Sequence, residues 1–245
     1  MAPASLRAGH VAQLRRGPED VEYEHSCGMI LCNTDKNLWK QISCLNGLRS
    51  LASPWVLIIP AMQSGISTTP GRHPVVFRDR VQRGSRVDFV GVAIHVGAYK
   101  AMKHPIHMGH GQIVINTGSP DLPKVLERLE GSRVALQGAS ISVDPEYGQE
   151  GKICGACGHK YSIRIVRQLP RPSALFSTND LMTYGICPPC GNSVSRASTT
   201  FPRSFPDKME PSDLPLTAVY LPGYHLDRRA ACLLLSESQV RLEGS

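Results

Sequence analysis

The sequence predicts a β-rich α+β chain, with a small antiparallel, barrel-like core and an appended four-cysteine zinc module. Three observations predict it. The 22 glycines and 19 prolines among 245 residues favour turns and short strands over long helices. The pattern Gly-Ser-Arg-Val-x-x-x-Gly-x-x-Ile-x-Val occurs twice, at 84–96 and at 131–143, and a glycine inside a strand marks a bulge or sharp bend of the kind a small barrel needs at its corners. Finally, Cys154-Gly-Ala-Cys157-Gly and Cys187-Pro-Pro-Cys190-Gly are two metal-binding knuckles.

The knuckles carry the sharpest chemistry. Two residues between paired cysteines let both thiolates reach one metal, and two such hooks give the four sulfurs a tetrahedral structural zinc prefers. Cys154, Cys157, Cys187 and Cys190 are therefore expected to hold one structural Zn2+, with no open position for catalysis. A redox dithiol and four buried free cysteines are the competing readings. The 29 residues between the knuckles resemble, in spacing alone, the zinc modules of papillomavirus early proteins. Cys27, Cys32, Cys44 and Cys232 have no knuckle partner and are expected as buried thiols.

The elements follow in order. Residues 1–20 read as a flexible basic arm and 21–145 as the β-rich core domain. Within the core, Met29–Cys32 and Trp55–Ile59 are apolar runs expected as strands, and Leu38, Ile42, Leu45 and Leu48 have helical spacing. Residues 63–74 form a loop by turn chemistry. Each copy of the internal pattern is expected as a strand, with Gly91 and Gly138 at its bend; between them lie a strand at Gly111–Asn116 and a short helix at Leu122–Leu129. This order of strand, strand, helix, strand resembles the oligonucleotide-binding barrel, and the resemblance implies five strands with a helix before the fourth. Residues 146–195 form the expected zinc module, with a strand at Lys160–Val166 and a loop or short helix at Ala174–Met182. Residues 196–245 are a proline-rich connector and a C-terminal strand (Leu216–Leu221) and helix (Asp227–Leu235) packing on the core.

Charge suggests the partner. The net charge is +7 and the pI near 9.1, and residues 71–110 and 152–208 carry net +5 and +6. Clustered positive charge of this kind suits a polyanion, nucleic acid first. Arg80, Arg83, Arg86, Lys100, Lys103, Arg133, Lys160, Arg164 and Arg167 are the candidate phosphate contacts, with Tyr99 and Tyr161 as stacking platforms for single-stranded DNA or RNA. The alternative is a non-enzymatic adaptor or assembly subunit, whose zinc module shapes a docking surface for a protein partner.

Other classes find little support. There is no phosphate-binding glycine loop with lysine and no Gly-x-Ser-x-Gly elbow, so no enzyme is expected and no small-molecule substrate is evident. His104, His107 and His110 could serve a metal hydrolase only if a loop gathered the three rings. No apolar run reaches the roughly 18–20 residues of a membrane span, and the N-terminus lacks a secretory signal. An intracellular, reducing compartment is expected, nuclear or cytoplasmic.

Overall fold

The structure, a computed structural model, describes residues 16–35, 37–50, 55–61, 74–80, 85, 87–119, 122–142, 154–167, 172–179, 182–183, 185–186, 202–203 and 219–243. The chain divides into two compact units: His10–Val92 with Pro222–Ser245, and Ala93–Leu221 with the first nine residues. The core and zinc-module boundaries expected at 145 and 195 both fall inside the second of these.

In the Ala93–Leu221 unit, β4 (Ile113–Asn116) pairs in parallel with β5 (Ala174–Ser177). Every residue of both strands is buried, which requires cover on both faces. Helices α3 (Ile94–His107) and α4 (Pro123–Gly138) cover one face, where Ala98, Met102 and Leu136 pack on Ile113, Ile115, Ala174 and Phe176. On the other face Tyr161 and Ile165 of α5 (Gly155–Val166), with Ile186, cover Val114 and Leu175. The alternation along Ile113-Val114-Ile115 thus divides one strand between two cores. A short parallel pair, β6 (Pro202–Arg203) with β7 (Val219–Tyr220), completes the unit.

The other unit repeats the scheme. Strands β1 (Val56–Ile58), β2 (Val75–Arg78) and β3 (Asp88–Val90) form a parallel sheet in that order. Leu45 of α2 (Leu38–Ser50) packs on Val56, Ile58, Val75 and Phe77. On the opposite face Ala230 and Leu234 of α6 (Gly223–Glu243) meet Val76 and Val90. The first helix, α1 (residues 16–24), is tied to α6: Tyr224 Oη donates to Asp20 Oδ2 at 2.6 Å, and Arg228 donates to both Glu24 carboxylate oxygens at 3.0 and 2.9 Å. Gly17 is buried so closely against the Tyr224 carbonyl and the Arg228 amide that a Cβ would not fit.

These findings overturn the expected fold class. Among the described residues every strand pairing is parallel, and there is no antiparallel barrel and no oligonucleotide-binding fold. The repeated glycine pattern does not mark two equivalent strands. Its first copy runs from β3 into α3; its second lies largely on α4, where Gly138 is the last helical residue and Val134 is exposed. Nor, among the described residues, is there a separate zinc module. Lys160–Val166, expected as a strand, is part of α5, and Ala174–Met182 contains β5. Cys154 and Cys157 open a helix that belongs to the α/β layers. The physical reason is two-sided burial: parallel strands under helices read as unbroken apolar runs rather than alternating ones. Met29–Cys32 forms no regular element, whereas α2, β1, the strand at 113–116 and the C-terminal helix lie where the sequence places them.

Close packing of α3 on α4 depends on Gly131, where an added Cβ would run into the His95 carbonyl. Gly131→Val should cost roughly 1–3 kcal/mol through overpacking. Urea denaturation measures it, and a stability within about 0.5 kcal/mol of wild type would contradict this account of the helix pair.

Candidate ligand site at the carboxyl ends of the strands

Parallel α/β sheets present their ligand-binding edge at the carboxyl ends of the strands, where helix N-termini and loops supply polar groups. In the Ala93–Leu221 unit that edge is made of Asn116 at the end of β4 with Thr117 after it, and of Ser177 at the end of β5 with Thr178 and Asn179 after it. Asn116, Thr117, Ser177 and Thr178 are all buried, as is Thr183 just beyond. Asn116 Nδ2 reaches Ser177 Oγ at 3.5 Å across the pair, and the Thr178 amide donates to the Asn116 carbonyl at 3.0 Å. Arg128 of α4 donates through Nη1 to the Thr178 carbonyl at 2.6 Å. The Thr183 hydroxyl and amide both donate to the Asn179 carbonyl at 3.1 Å.

Two groups stand out in this network. Asn116 Oδ1 and Thr178 Oγ1 are buried and make no hydrogen bond among the described residues. Burying a polar group without a partner costs about 1–3 kcal/mol, so two of them at the carboxyl ends of paired strands make this edge a candidate for binding a polar ligand. The set offers an acceptor and a hydroxyl that can donate or accept, beside a guanidinium on α4. Such groups suit a small polar molecule.

The other unit has its own polar edge. Arg78 ends β2, is 6% exposed, and donates from Nε to Asp227 Oδ1 of α6 at 2.5 Å. Asp79 follows in the left-handed region, φ 70°, which Asp tolerates better than most residues. Burial raises the Asp227 carboxyl to about 6; the Arg78 guanidinium opposes that shift and Asp79 adds to it. Asp227 Oδ2 and Gln41 Nε2 are buried without hydrogen-bond partners, although Gln41 Oε1 accepts from the Ala61 amide at 2.7 Å.

The sequence-derived candidates are dispersed. Arg83, Arg86, Cys187 and Cys190 lie outside the described residues. Arg80 sits with its Nε 3.9 Å from an Asp79 oxygen. Lys100 is exposed on α3, and Lys103 Nζ stands 5.6 Å from the centre of the half-buried Tyr99 ring. Arg133 is exposed on α4; Lys160, Arg164 and Arg167 are exposed along and just after α5. Tyr161 faces inward, buried on β4 with its hydroxyl donating to the Ile115 carbonyl at 3.2 Å. Cys154 and Cys157 are joined to each other as a disulfide. Cys27, Cys32 and Cys232 are exposed and Cys44 is half-buried, so the expectation of four buried thiols does not hold. His104 and His107 occupy the last turn of α3 rather than a loop. Among the described residues no group of three or more His, Cys, Asp or Glu side chains could hold a metal, and no helix is long and apolar enough to cross a membrane.

The sequence reading missed the strand-end cluster entirely. Ser-Thr-Asn-Asp after the apolar run at 174–176 was available as a signal, since a polar run at the end of a buried parallel strand falls at the edge where such sheets take ligands.

The chain matches no protein-family model. It is 28% identical over 233 residues to the HTH-type transcriptional repressor PurR of Aliivibrio fischeri, covering 91% of this chain and 69% of the repressor. Among solved structures it resembles a sugar-binding transcriptional regulator of the LacI family from Escherichia coli, complexed with phosphate (TM-score 0.76, 19% identity, 95% of this chain and 86% of that one). It also resembles the Cra transcriptional dual regulator of Pseudomonas putida in complex with fructose 1-phosphate (TM-score 0.77, 14% identity, 95% and 88%). The fold is the two-unit parallel α/β fold of these regulators. The relatives are transcription regulators and not enzymes, in agreement with the non-enzymatic reading of the sequence.

The Asp227 carboxyl generates a pH prediction. Its folded value, about 6, lies above the unfolded 3.8, so the folded state holds this proton more tightly. Its contribution to stability is therefore full below about pH 4 and is lost as pH rises through about 6. Relative to Asp227→Asn, the wild type should lose on the order of 2–3 kcal/mol between pH 4 and 7, measured by urea denaturation across that range. Arg78→Met strands the carboxylate and should cost about 3–5 kcal/mol at pH 7.5, with a smaller loss at pH 5. Parallel pH profiles of wild type and Asp227→Asn would contradict this assignment.

Proposed function

We propose that the chain is the effector-binding part of a transcription regulator, in which a small polar molecule held at the carboxyl edge of β4 and β5 changes affinity for double-stranded DNA. The carrying observation is the unpartnered Asn116 Oδ1 and Thr178 Oγ1, buried at the strand ends of a fold shared with regulators that carry phosphate and fructose 1-phosphate. The likeness to the PurR repressor along 91% of the chain supports the same reading. It keeps the nucleic-acid partner inferred from the +7 charge and makes the target duplex DNA rather than single strands. It replaces the expected absence of a small-molecule ligand with an effector. Its relatives are bacterial, so the compartment it implies is the bacterial cytoplasm and not a nucleus.

A polyhydroxyl compound fits the edge chemically, since Asn116 and Thr178 can exchange hydrogen bonds with hydroxyls, and a phosphate on it would find the Arg128 side of the edge. A thermal-shift screen with free sugars, phosphorylated hexoses and nucleobases tests this. A ligand present at about 100 times its Kd stabilises by about 2.7 kcal/mol, a shift of several degrees. Thr178→Val should leave the free protein as stable as wild type or up to about 1 kcal/mol more so, because it removes an unpaired hydroxyl, while lowering affinity for the active compound at least tenfold. If Thr178→Val binds that compound like wild type, this edge is not the site. If no compound in the panel shifts the melting temperature while single-stranded oligonucleotides bind tightly at low salt, the reading fails.

A further inference from the structure

Cys154 and Cys157 stand apart from everything the proposed function uses. The Cys154 side chain caps the N-terminus of α5, its Sγ accepting from the Cys157 amide at 3.1 Å. Both residues are half-buried, within reach of a small solute, and the two sulfurs are bonded to each other with Cα atoms 5.2 Å apart. Disulfides in a reducing cytoplasm are characteristically transient, and serve catalysis or redox sensing rather than structure. A cysteine pair spaced by two residues at a helix start is suited to that use: the sulfur that leaves as thiolate is met by a backbone N–H at the positive end of the helix.

The pair is also mechanically connected. Immediately after it, the first turn of α5 lies backbone-to-backbone on the helical residues around Met182 and Gly185. A Cβ on Gly158 would collide with the Met182 carbonyl, and one on Gly185 with the Gly155 carbonyl. The same segment holds the strand edge, because Thr183 donates twice to the Asn179 carbonyl and Ser177 Oγ donates to it at 3.3 Å. Packing this close leaves the first turn of α5 little freedom to change shape without moving Asn179 and its neighbour Thr178.

We propose that Cys154 and Cys157 are a reversible thiol–disulfide site that exchanges with low-molecular-weight thiols of the glutathione type, and that its redox state adjusts the β4–β5 edge through the first turn of α5. The first clause rests on the proposed cytoplasmic compartment and the second also on the proposed ligand site. In reduction, the thiolate of one glutathione attacks the disulfide, forming a mixed disulfide and releasing one cysteine sulfur, which takes up a proton. A second glutathione thiolate displaces the other cysteine sulfur, which is likewise protonated. The balance is one protein disulfide plus two glutathione thiols giving two protein thiols plus glutathione disulfide, and oxidation runs the same steps in reverse.

The test uses the full chain equilibrated in buffers of varied glutathione to glutathione-disulfide ratio, alkylated and digested with trypsin. Cleavage after Lys152 and Lys160 releases residues 153–160, whose only cysteines are Cys154 and Cys157. The expected result is one two-electron transition, from a doubly alkylated peptide to an unalkylated one lighter by two hydrogens than the free dithiol. Cys157→Ser should instead leave a glutathione adduct on Cys154, and a Cys187→Ser, Cys190→Ser double variant should cycle like wild type. A peptide alkylated on both sulfurs at every ratio, a crosslink from Cys154 to Cys187 or Cys190, or one equivalent of zinc that shields the thiols from exchange would each overturn the site. Hydrogen exchange of residues 174–179 should differ between the oxidised and reduced forms; identical exchange overturns the coupling. Neither readout involves an effector, so a failed ligand screen and a failed redox site are told apart.

Discussion

Ile113, Ile115, Ala174 and Phe176 face α3 and α4, while Val114 and Leu175 face α5. That two-sided burial of a parallel strand pair governs what surrounds it. A strand with both faces covered has only its ends left for polar groups, so Asn116, Thr117, Ser177 and Thr178 collect where the apolar run stops. The three-stranded sheet of the other unit obeys the same rule, with Phe77 and Val76 facing opposite helix layers and Arg78 at the strand end. In both units the last strand residue is a buried polar side chain facing a partner across the edge: Ser177 for Asn116, Asp227 for Arg78.

The two edges differ in electrostatics. Arg78 and Asp227 are opposite charges joined by one hydrogen bond, from Nε to Oδ1, and a buried pair of this kind is a fixed structural link whose loss of one partner is costly. Asn116 and Thr178 are neutral and left with open valences. Neutral groups can wait for a ligand at a cost of a few kcal/mol, whereas an unpaired buried charge could not. This contrast explains why the Ala93–Leu221 unit is the better candidate for recognition and why the Arg78 edge is better suited to holding α6 against its sheet.

Several elements were legible in the sequence because their signal is local. The helical spacing of Leu38, Leu45 and Leu48 and the run Trp55–Ile59 gave α2 and β1, and Gly111–Asn116 gave β4. Sheet direction was not legible, because parallel pairing is set by crossovers between residues far apart, such as Ile113 and Ala174. The glycine pattern misled for a related reason: Gly138, expected at a strand bend, is the last residue of α4, and a glycine in a short motif reads equally well as a helix end or a strand bend. Cys-x-x-Cys spacing alone does not separate a metal hook from a dithiol at a helix N-terminus, and Cys187 and Cys190 lie outside the described residues. Clustered charge pointed toward nucleic acid, but sequence clustering did not show that Arg78 is buried against Asp227 and Tyr161 against β4.

The claim on which the functional account turns is that the carboxyl edge of β4 and β5 receives the effector. Hydrogen-exchange mapping tests it most directly, with the compound that most raises the melting temperature added at saturation. The account predicts added protection concentrated at residues 116–119 and 177–179. Protection confined to the exposed faces of α3 and α5, or to the Arg78–Asp227 edge, with 116–119 and 177–179 unchanged, would contradict it.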